Sequence, residues 1–435
     1  MKANDLIAYI KEGKLDSRLL DIYLDDEKLD YQKNRYANAI QSFVDLFGSE
    51  RDIQIVSAPG RTEVGGNHTD HQHGQVLAAS INDDAIAVVA ANDSNSVQVK
   101  SEGYDKITFS LKDIDKNSEE EGTTIALIKG VLAGIKERGF AVGGFDAYIT
   151  SDVLGGSGLS SSAAFETVIG NVLSSLYNDM KIDPVTIAII GQYAENYYFG
   201  KPCGLMDQMA CSVGSLCHID FADPSNPKID RIELDMDAVG YSLCITDTKG
   251  SHADLTPDYA AVPAEMKSVA AYFGKDVLND ISEEEVIAAI SELRKKLGDR
   301  PVLRALHYYE ENKRVVNEAT ALKNNDFEAF LKNVKASGDS SYKFLQNVYT
   351  THDVLHQNVS IALCMSEKLL NTDDTCESST KNGVSRVHGG GFAGTIQAFV
   401  RNEKVSEYRD ALDNIFGEGA CAVLKIRKYG GIRVI

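Results

Sequence analysis

Residues 154–164 read LGGSGLSSSAA and follow residues 145–150, which predict a strand. The glycines and serines open a predicted helix, so free backbone N–H groups and the positive helix end converge there. The stretch lacks the Gly-Lys-Ser/Thr ending of a Walker A loop and the spacing of a dinucleotide fingerprint. It therefore predicts a phosphate site, and a glycine turn capped by serines is the structural alternative.

The elements around this stretch alternate between helix and strand patterns. A helix is predicted at residues 30–47, followed by a strand at residues 53–56 that ends at Pro59-Gly60-Arg61. Short strands at 76–81, 85–91, 97–101 and 107–110 lead to a helix at 124–138, residues 256–370 are mainly helical, and the C-terminal part returns to strands. The pattern predicts an α+β protein with two lobes, residues 1–225 and 226–435.

The composition argues against several classes of partner. A chain of 435 residues at roughly 100–200 residues per domain is long enough for two or three domains. Its net charge of −20 has the wrong sign for nucleic acid or an anionic membrane. No apolar run suits a membrane span, and seven cysteines without a C-x-x-C pair suit a reducing cytoplasm. We therefore expect a cytoplasmic protein with neither nucleic-acid nor membrane partners.

A second polar stretch, residues 57–73, reads SAPGRTEVGGNHTDHQH. Loops that concentrate arginine, asparagine, acids and histidines in this way usually contact a ligand. A metal site built from His68, Asp70, His71 and His73 is one alternative, since imidazole and carboxylate are metal ligands. A solvated loop without a role is the other.

The third stretch, residues 194–208, reads AENYYFGKPCGLMDQ. Gly200 is predicted to end one helix, Pro202 prevents its continuation, and a new helix is predicted from about Gly204. Asp207 lies among apolar neighbours, which suits a base or a positioning group. An acid that only stabilises the start of a helix is the alternative.

Together with a fourth motif, GGGFAG at residues 389–394, these stretches resemble in order the motifs of the GHMP small-molecule kinases. Within that superfamily they are most similar to galactokinases. The resemblance implies an N-terminal lobe like ribosomal protein S5 and a ferredoxin-like C-terminal lobe, with ATP and sugar between them. It also implies transfer of the ATP γ-phosphoryl group to the anomeric hydroxyl of galactose, giving galactose 1-phosphate.

The resemblance implies a role for each matched position. Asp207 is similar to the catalytic acid-base residue, and Arg61 to its neighbour that faces the transferred phosphoryl group. Ser162 and Glu195 resemble ligands of Mg²⁺. The positions that resemble sugar contacts are Asn67, His68, Asp70, Gly204 and Tyr259. The positions that resemble the cradle of the ATP phosphates are Gly155, Gly156, Ser157, Gly158, Leu159, Ser160, Ser161 and Ser162.

The sequence departs from the family pattern around the sugar motif. Asn67 stands where glutamate is common, His71 replaces an aromatic residue, and residues 62–65 read TEVG instead of VNLI. We expect Asn67 to meet the 6-hydroxyl with a weaker neutral hydrogen bond and to loosen discrimination at C6. Galacturonate, L-arabinose and N-acetylgalactosamine are thus alternative substrates.

Two other functions compete with a galactose kinase. A sugar sensor without turnover would lose the serines or the acid, but Ser160, Arg61 and Asp207 are all present. A kinase for mevalonate or homoserine is disfavoured by the residues that resemble sugar contacts, His68 and Asp70.

Overall fold

The computed structural model describes residues 1–153, 158–250, 255–371 and 380–435. Within these ranges, no helix combines the length and apolar character needed to cross a membrane. The α-helices of the described part are α1 Ala3–Lys11, α2 Asp16–Tyr23, α3 Leu29–Phe47, α4 Thr124–Glu137, α5 Ser161–Tyr177, α6 Pro184–Tyr193, α7 Met206–Val213, α8 Thr256–Tyr272, α9 Glu283–Ala288, α10 Ile290–Leu297, α11 Asp299–Lys323, α12 Phe327–Ser340, α13 Asn358–Leu370 and α14 Val405–Phe416. The strands there are β1 Gln54–Gly65, β2 Gln75–Ala91, β3 Ser96–Ser101, β4 Ile107–Ser110, β5 Phe145–Ser151, β6 Leu216–Asp220, β7 Lys228–Ile232, β8 Tyr241–Asp247, β9 Gly383–Val387, β10 Thr395–Arg401, β11 Cys421–Leu424 and β12 Ile432–Arg433.

In the described residues, the larger sheet has eight strands in the order β12-β1-β2-β5-β3-β4, with β6 paired to β2 and β7 to β6. Strands β3 and β5 run parallel. Alternate side chains of β1 point to opposite faces. Ile55 packs in the core that includes Phe43 of α3, whereas Val56 packs in the core that includes Val168 of α5. Because both faces are covered, the strand is apolar at consecutive positions.

The smaller sheet is antiparallel, with four described strands in the order β11-β8-β10-β9. One face packs against α13 and α14, where Ile396 shares a core with Leu412. The other face packs against α12, where Phe399 contacts Phe330 with ring centroids 5.1 Å apart. Two sheets with helices packed on them confirm the α+β prediction.

Two details of the predicted strands are wrong. Strand β1 does not end at Pro59-Gly60-Arg61 but continues to Gly65, with a register shift between Pro59 and Arg61. Proline cannot donate to the ladder, so the strand accommodates it as an irregularity and then resumes. Residues 76–81 and 85–91 belong to the single strand β2, in which pairing with β1 resumes after a register shift at the polar residues between them.

The lobe boundary between residues 225 and 226 stays a prediction. Strand β7 lies beyond that boundary in the chain but pairs with β6 of the larger sheet. The last strand, β12, also returns to the larger sheet and pairs with β1. The larger sheet therefore takes strands from both ends of the chain.

Candidate active site

Arg61 and Asp207 form a bidentate ion pair at the centre of the site. Arg61 follows the irregularity in β1, and Asp207 lies in the first turn of α7. Arg61 donates from Nε to Asp207 Oδ1 at 2.7 Å and from Nη2 to Oδ2 at 2.8 Å. The Arg61 side chain is buried, whereas that of Asp207 is 32% exposed. The carboxylate is thus held in one orientation but remains accessible.

The ion pair fixes the charge state of Asp207. Burial opposes ionisation, but the charge of Arg61 and the hydrogen bonds from Arg61 and Ser160 outweigh it, so the pKa of Asp207 is lowered. Burial likewise opposes the charge of Arg61, yet Asp207 raises its pKa. Both groups are therefore charged at neutral pH.

The start of α5 meets this ion pair. Ser160 precedes α5 with φ of 59°, a left-handed conformation that is uncommon for serine and is often found at functional sites. The Ser160 hydroxyl donates to Asp207 Oδ2. The backbone N–H of Arg61 donates to the backbone carbonyl of Leu159 at 3.1 Å. Of the predicted phosphate cradle, Gly158 and Ser160 to Ser162 line the cleft and Leu159 is buried, whereas Gly155, Gly156 and Ser157 lie outside the described residues.

Ser162 and Glu195, the predicted magnesium ligands, are brought together although they come from different helices. The Ser162 hydroxyl donates to Glu195 Oε1 at 3.2 Å, and Glu195 is almost fully buried. Lys201 Nζ lies 3.0 Å from the same oxygen. Gln208 Nε2 donates to Glu195 Oε2 at 2.8 Å. A hydroxyl and a carboxylate oxygen are ligands that suit Mg²⁺, and the Lys201 contact indicates that this position favours a cation.

Asp70, from the 57–73 stretch, lies near enough to Asp207 for the charge of that carboxylate to act on it. Its Oδ1 accepts a hydrogen bond from the His71 N–H at 2.9 Å. A Cβ on Gly204 would lie 1.6 Å from Asp70 Oδ2, so only glycine allows the two segments this close. Burial, together with the charge of Asp207, raises the pKa of Asp70 to about 6. Asp70 and Gly204 are thus in contact, as residues of one site would be.

His68 takes part in a chain of hydrogen bonds with His71. Its Nε2 lies 3.1 Å from the Gly390 carbonyl and must donate, which leaves Nδ1 to accept from His71 Nε2 at 3.4 Å. Burial lowers the pKa of His68 to about 4, so the ring is neutral. No cluster of three or more His, Cys, Asp and Glu side chains suited to a metal occurs in the described ranges, which include residues 68–73.

The turn at residues 389–391 also lines the cleft. Tyr259 donates from its hydroxyl to the Gly391 carbonyl at 2.8 Å. Its ring lies edge-on to Phe392, and a Cβ on Gly390 would lie 2.7 Å from that ring. The turn therefore contacts both Tyr259 and His68.

Asn67 is placed differently from the other predicted sugar contacts. Its side chain is fully buried. The amide nitrogen donates to Glu63 Oε1 at 2.9 Å and to the Gly389 carbonyl at 2.7 Å. The amide oxygen accepts from Asn347 Nδ2 at 2.8 Å and Ser341 Oγ at 3.2 Å. The amide is thus fully paired with protein groups.

Part of this group of residues lines one open cleft of about 390 Å³, whereas His68, Asp70, Gly204 and Glu195 are not among its lining residues. Arg61, Asp207, Ser162 and Tyr259 are among its lining residues. Lys201 also lines it, and neither Lys201 nor Gln208 is identified by the motifs as a contact of Glu195. Their only signal in the sequence is their position in the 194–208 stretch.

Two family profiles match the chain. Residues 126–215 match the GHMP kinases N terminal domain, and residues 41–91 match the galactokinase galactose-binding signature. The first match contains α5 and Asp207, and the second contains Arg61 and the 57–73 stretch. Fold and cleft therefore define a small-molecule kinase of the GHMP class.

The chain is 33% identical over 367 residues to a galactokinase of Glaesserella parasuis serovar 5 (strain SH0165), covering 82% of this chain and 87% of the relative. It belongs to the galactokinase family. A galactokinase of Pyrococcus furiosus is 30% identical over 363 residues, covering 82% of this chain and 92% of the relative.

Solved structures agree on the fold. The structure of Lactococcus lactis galactokinase complexed with galactose superimposes with a TM-score of 0.77 at 24% identity, over 92% of this chain and all of that chain. Methanococcus jannaschii mevalonate kinase superimposes with a TM-score of 0.59 at 15% identity, over 86% of this chain and 98% of that one. The GHMP kinase fold is thereby confirmed.

Proposed function

We propose that this protein phosphorylates galactose at its anomeric hydroxyl, using ATP and giving galactose 1-phosphate. The observation that carries the proposal is the Arg61–Asp207 ion pair. It joins the 57–73 stretch, which contains Arg61, to the serines of the predicted phosphate cradle. Family membership supports the same reaction, since the relatives bear the name galactokinase.

In this proposal Asp207 orients the anomeric hydroxyl and accepts its proton. Its lowered pKa keeps the carboxylate ionised, and its exposed fraction faces the cleft where the sugar would bind. Arg61 would supply a fixed positive charge beside the phosphoryl group during its transfer. Phosphoryl transfer needs such positioning and charge neutralisation more than covalent help from the protein.

Ser162 and Glu195 would hold Mg²⁺, and their oxygen atoms fit that ion. The ion would neutralise negative charge on the ATP phosphates. Gln208 and Lys201 keep the Glu195 carboxylate in place by contacts to its two oxygens. Ser160 to Ser162 and Gly158 would receive the phosphates at the start of α5.

On the sugar side, we propose contacts from His68, Asp70, Gly204 and Tyr259. Asp70 is the strongest candidate acceptor for sugar hydroxyls, because above its pKa of about 6 it is a carboxylate. A cytoplasmic location is part of the proposal, since the described cysteines are all free thiols.

The proposal is tested by ADP release with a panel of acceptors: galactose, galacturonate, L-arabinose, N-acetylgalactosamine, mevalonate and homoserine. We expect galactose to give the highest kcat/KM and a phosphate on the anomeric carbon in the ³¹P NMR spectrum of the product. Galactose binding without turnover would identify a sensor instead. A tenfold preference for another sugar, about 1.4 kcal/mol, would change the substrate but not the reaction class.

Replacing Ser162 by alanine should raise the Mg²⁺ concentration for half-maximal rate, because the hydroxyl beside Glu195 is lost. The measurement is a Mg²⁺ titration at saturating ATP and galactose, and we expect a shift of about tenfold, the size usual for loss of one supporting group. Ser161→Ala is the matched control, since Ser161 lines the cleft but has no hydrogen bond to Glu195. Equal midpoints for the two variants would remove Ser162 from the metal site.

The KM for galactose should rise as the pH falls through about 6, because Asp70 then gains a proton and loses its acceptor charge. Well below the pKa the rise approaches about tenfold per pH unit, as for a single proton. Asp70→Asn should have a raised KM that no longer varies between pH 5 and 7.5. Asp83→Asn is the control, since burial also raises the pKa of Asp83 to about 6 but its neighbours are Lys28 and Asp152. A pH dependence that survives in Asp70→Asn would assign it to another group.

A further inference from the structure

The side chain of Asn67 has one orientation that satisfies its neighbours. The Gly389 carbonyl can only accept a hydrogen bond, and Glu63 Oε1 already accepts one from Arg386, so the amide nitrogen faces these two oxygens. The amide oxygen then faces the donors Asn347 and Ser341. Both N–H groups and both lone pairs are used, and the residue is fully buried. No position remains for a hydrogen bond to a sugar.

The partners of Asn67 come from both parts of the chain. Glu63 belongs to β1 of the larger sheet, whereas Ser341 and Asn347 follow α12, and Gly389 follows β9 of the smaller sheet. Glu63 is itself held by Arg386 of β9 at 2.7 Å. The Asn67 amide thus ties the cleft turn at residues 389–391 to β1.

Side chains hold the three successive carbonyl groups of that turn. Asn67 donates to the first, that of Gly389, at 2.7 Å. Asn347, itself bound to Asn67, donates to the Gly390 carbonyl at 3.2 Å, and so does His68 at 3.1 Å. Tyr259 donates to the Gly391 carbonyl. Two proposed sugar contacts, His68 and Tyr259, are therefore positioned by a turn whose place depends on Asn67.

We propose that Asn67 is a positioning residue that sets the place of the 389–391 turn, and with it the sugar affinity, without contacting the sugar. This inference rests on the proposed function, because the affected ligand is the sugar of that reaction. It also replaces the expectation that Asn67 meets the 6-hydroxyl. Discrimination at C6 is then independent of the amide of Asn67.

The test compares Asn67→Asp and Ser341→Ala with the wild-type protein. Aspartate has no N–H group, and even with a proton it can donate to only one of the two oxygens that the Asn67 amide binds, Glu63 Oε1 and the Gly389 carbonyl. We expect the KM for galactose to rise at least about tenfold in Asn67→Asp and about threefold in Ser341→Ala, which loses one neutral hydrogen bond to Asn67. The KM for ATP should stay within about twofold of wild type, because the hydrogen bonds described above link the turn to His68 and Tyr259 and not to the serines of the predicted phosphate cradle.

The deciding readout is the ratio of kcat/KM for galactose to that for L-arabinose, which has the same ring without C6. A positioning role changes both sugars equally and leaves the ratio unchanged, whereas a contact to C6 changes it. A ratio altered about tenfold in Asn67→Asp would overturn the inference. An unchanged KM for galactose in Ser341→Ala would also overturn it, and that variant decides the matter if Asn67→Asp does not fold.

Ser366→Ala is the matched control, because Ser366 is equally buried and loses one hydrogen bond, to Tyr408 at 2.7 Å, away from the cleft. Ser366→Ala should keep the wild-type KM for galactose. A rise equal to that of Ser341→Ala would show a general effect of lost buried hydrogen bonds and overturn the inference.

Calorimetric binding of galactose and L-arabinose separates the proposed reaction from the proposed role of Asn67. If the wild-type protein binds sugar without turnover, the proposed reaction fails and the ratio of the two binding constants decides the role of Asn67. If it binds neither sugar, both proposals fail.

Discussion

Asp207→Asn should bind galactose and MgATP as the wild-type protein does, but lose kcat by about 10²–10⁴-fold. Asparagine has nearly the same shape and can keep one hydrogen bond from Arg61, but it cannot accept the proton of the anomeric hydroxyl. Loss confined to kcat is the signature of an interaction made in the transition state. The measurement is steady-state kinetics together with calorimetric binding of each substrate.

Asp183→Asn is the matched control for this prediction. Asp183 also lies at the start of a helix, where it caps α6 by accepting from the Thr186 N–H at 3.0 Å. If Asp207 only stabilised the start of α7, both variants would lose a little stability and neither would lose activity. A kcat within a few-fold of wild type in Asp207→Asn would therefore remove Asp207 from the chemistry.

The second large effect is expected for Arg61→Lys, with a loss of kcat of about 10²–10³-fold. Lysine keeps the charge but cannot make the two parallel hydrogen bonds to Asp207, nor hold a phosphoryl group in the same plane. Burial would then dominate, so the pKa of Asp207 should rise. Because Asp207 must be ionised to act, the acidic limb of the kcat profile should move to higher pH.

A kcat profile between pH 4.5 and 8 measures this shift. Arg51→Lys is the control, since Arg51 makes a comparable ion pair with Asp146 at 2.6 Å in another part of the larger sheet. An acidic limb that stays in place in Arg61→Lys would mean that Arg61 does not control the ionisation of Asp207. An unchanged kcat would remove Arg61 from the phosphoryl site.

Several local features of the fold could be predicted from short stretches of sequence. Ser282 and Glu285 have the spacing of a capping box and form one at the start of α9. Gly200, with φ of 82°, ends the π-helix Ala194–Phe199 that follows α6, as predicted for that glycine. The α+β class followed from the alternation of helix and strand periods. The continuation of β1 beyond Pro59 did not, because the pairing partners of that segment lie in β2. A proline signals a local interruption, but only the neighbouring strand decides whether pairing resumes.

The sequence by itself determined the candidate residues of the site, because the chemical groups and their spacing in each motif are properties of short segments. Only the tertiary structure decided how these groups are used. Arg61 and Asp207 are 146 positions apart, and their ion pair exists because β1 and α7 pack together. Three of the four partners of the Asn67 amide lie 274, 280 and 322 positions away, so chain folding sets them, and only Glu63 belongs to the same motif. A buried polar group takes its role from the atoms that satisfy it, and those atoms come from distant parts of the chain.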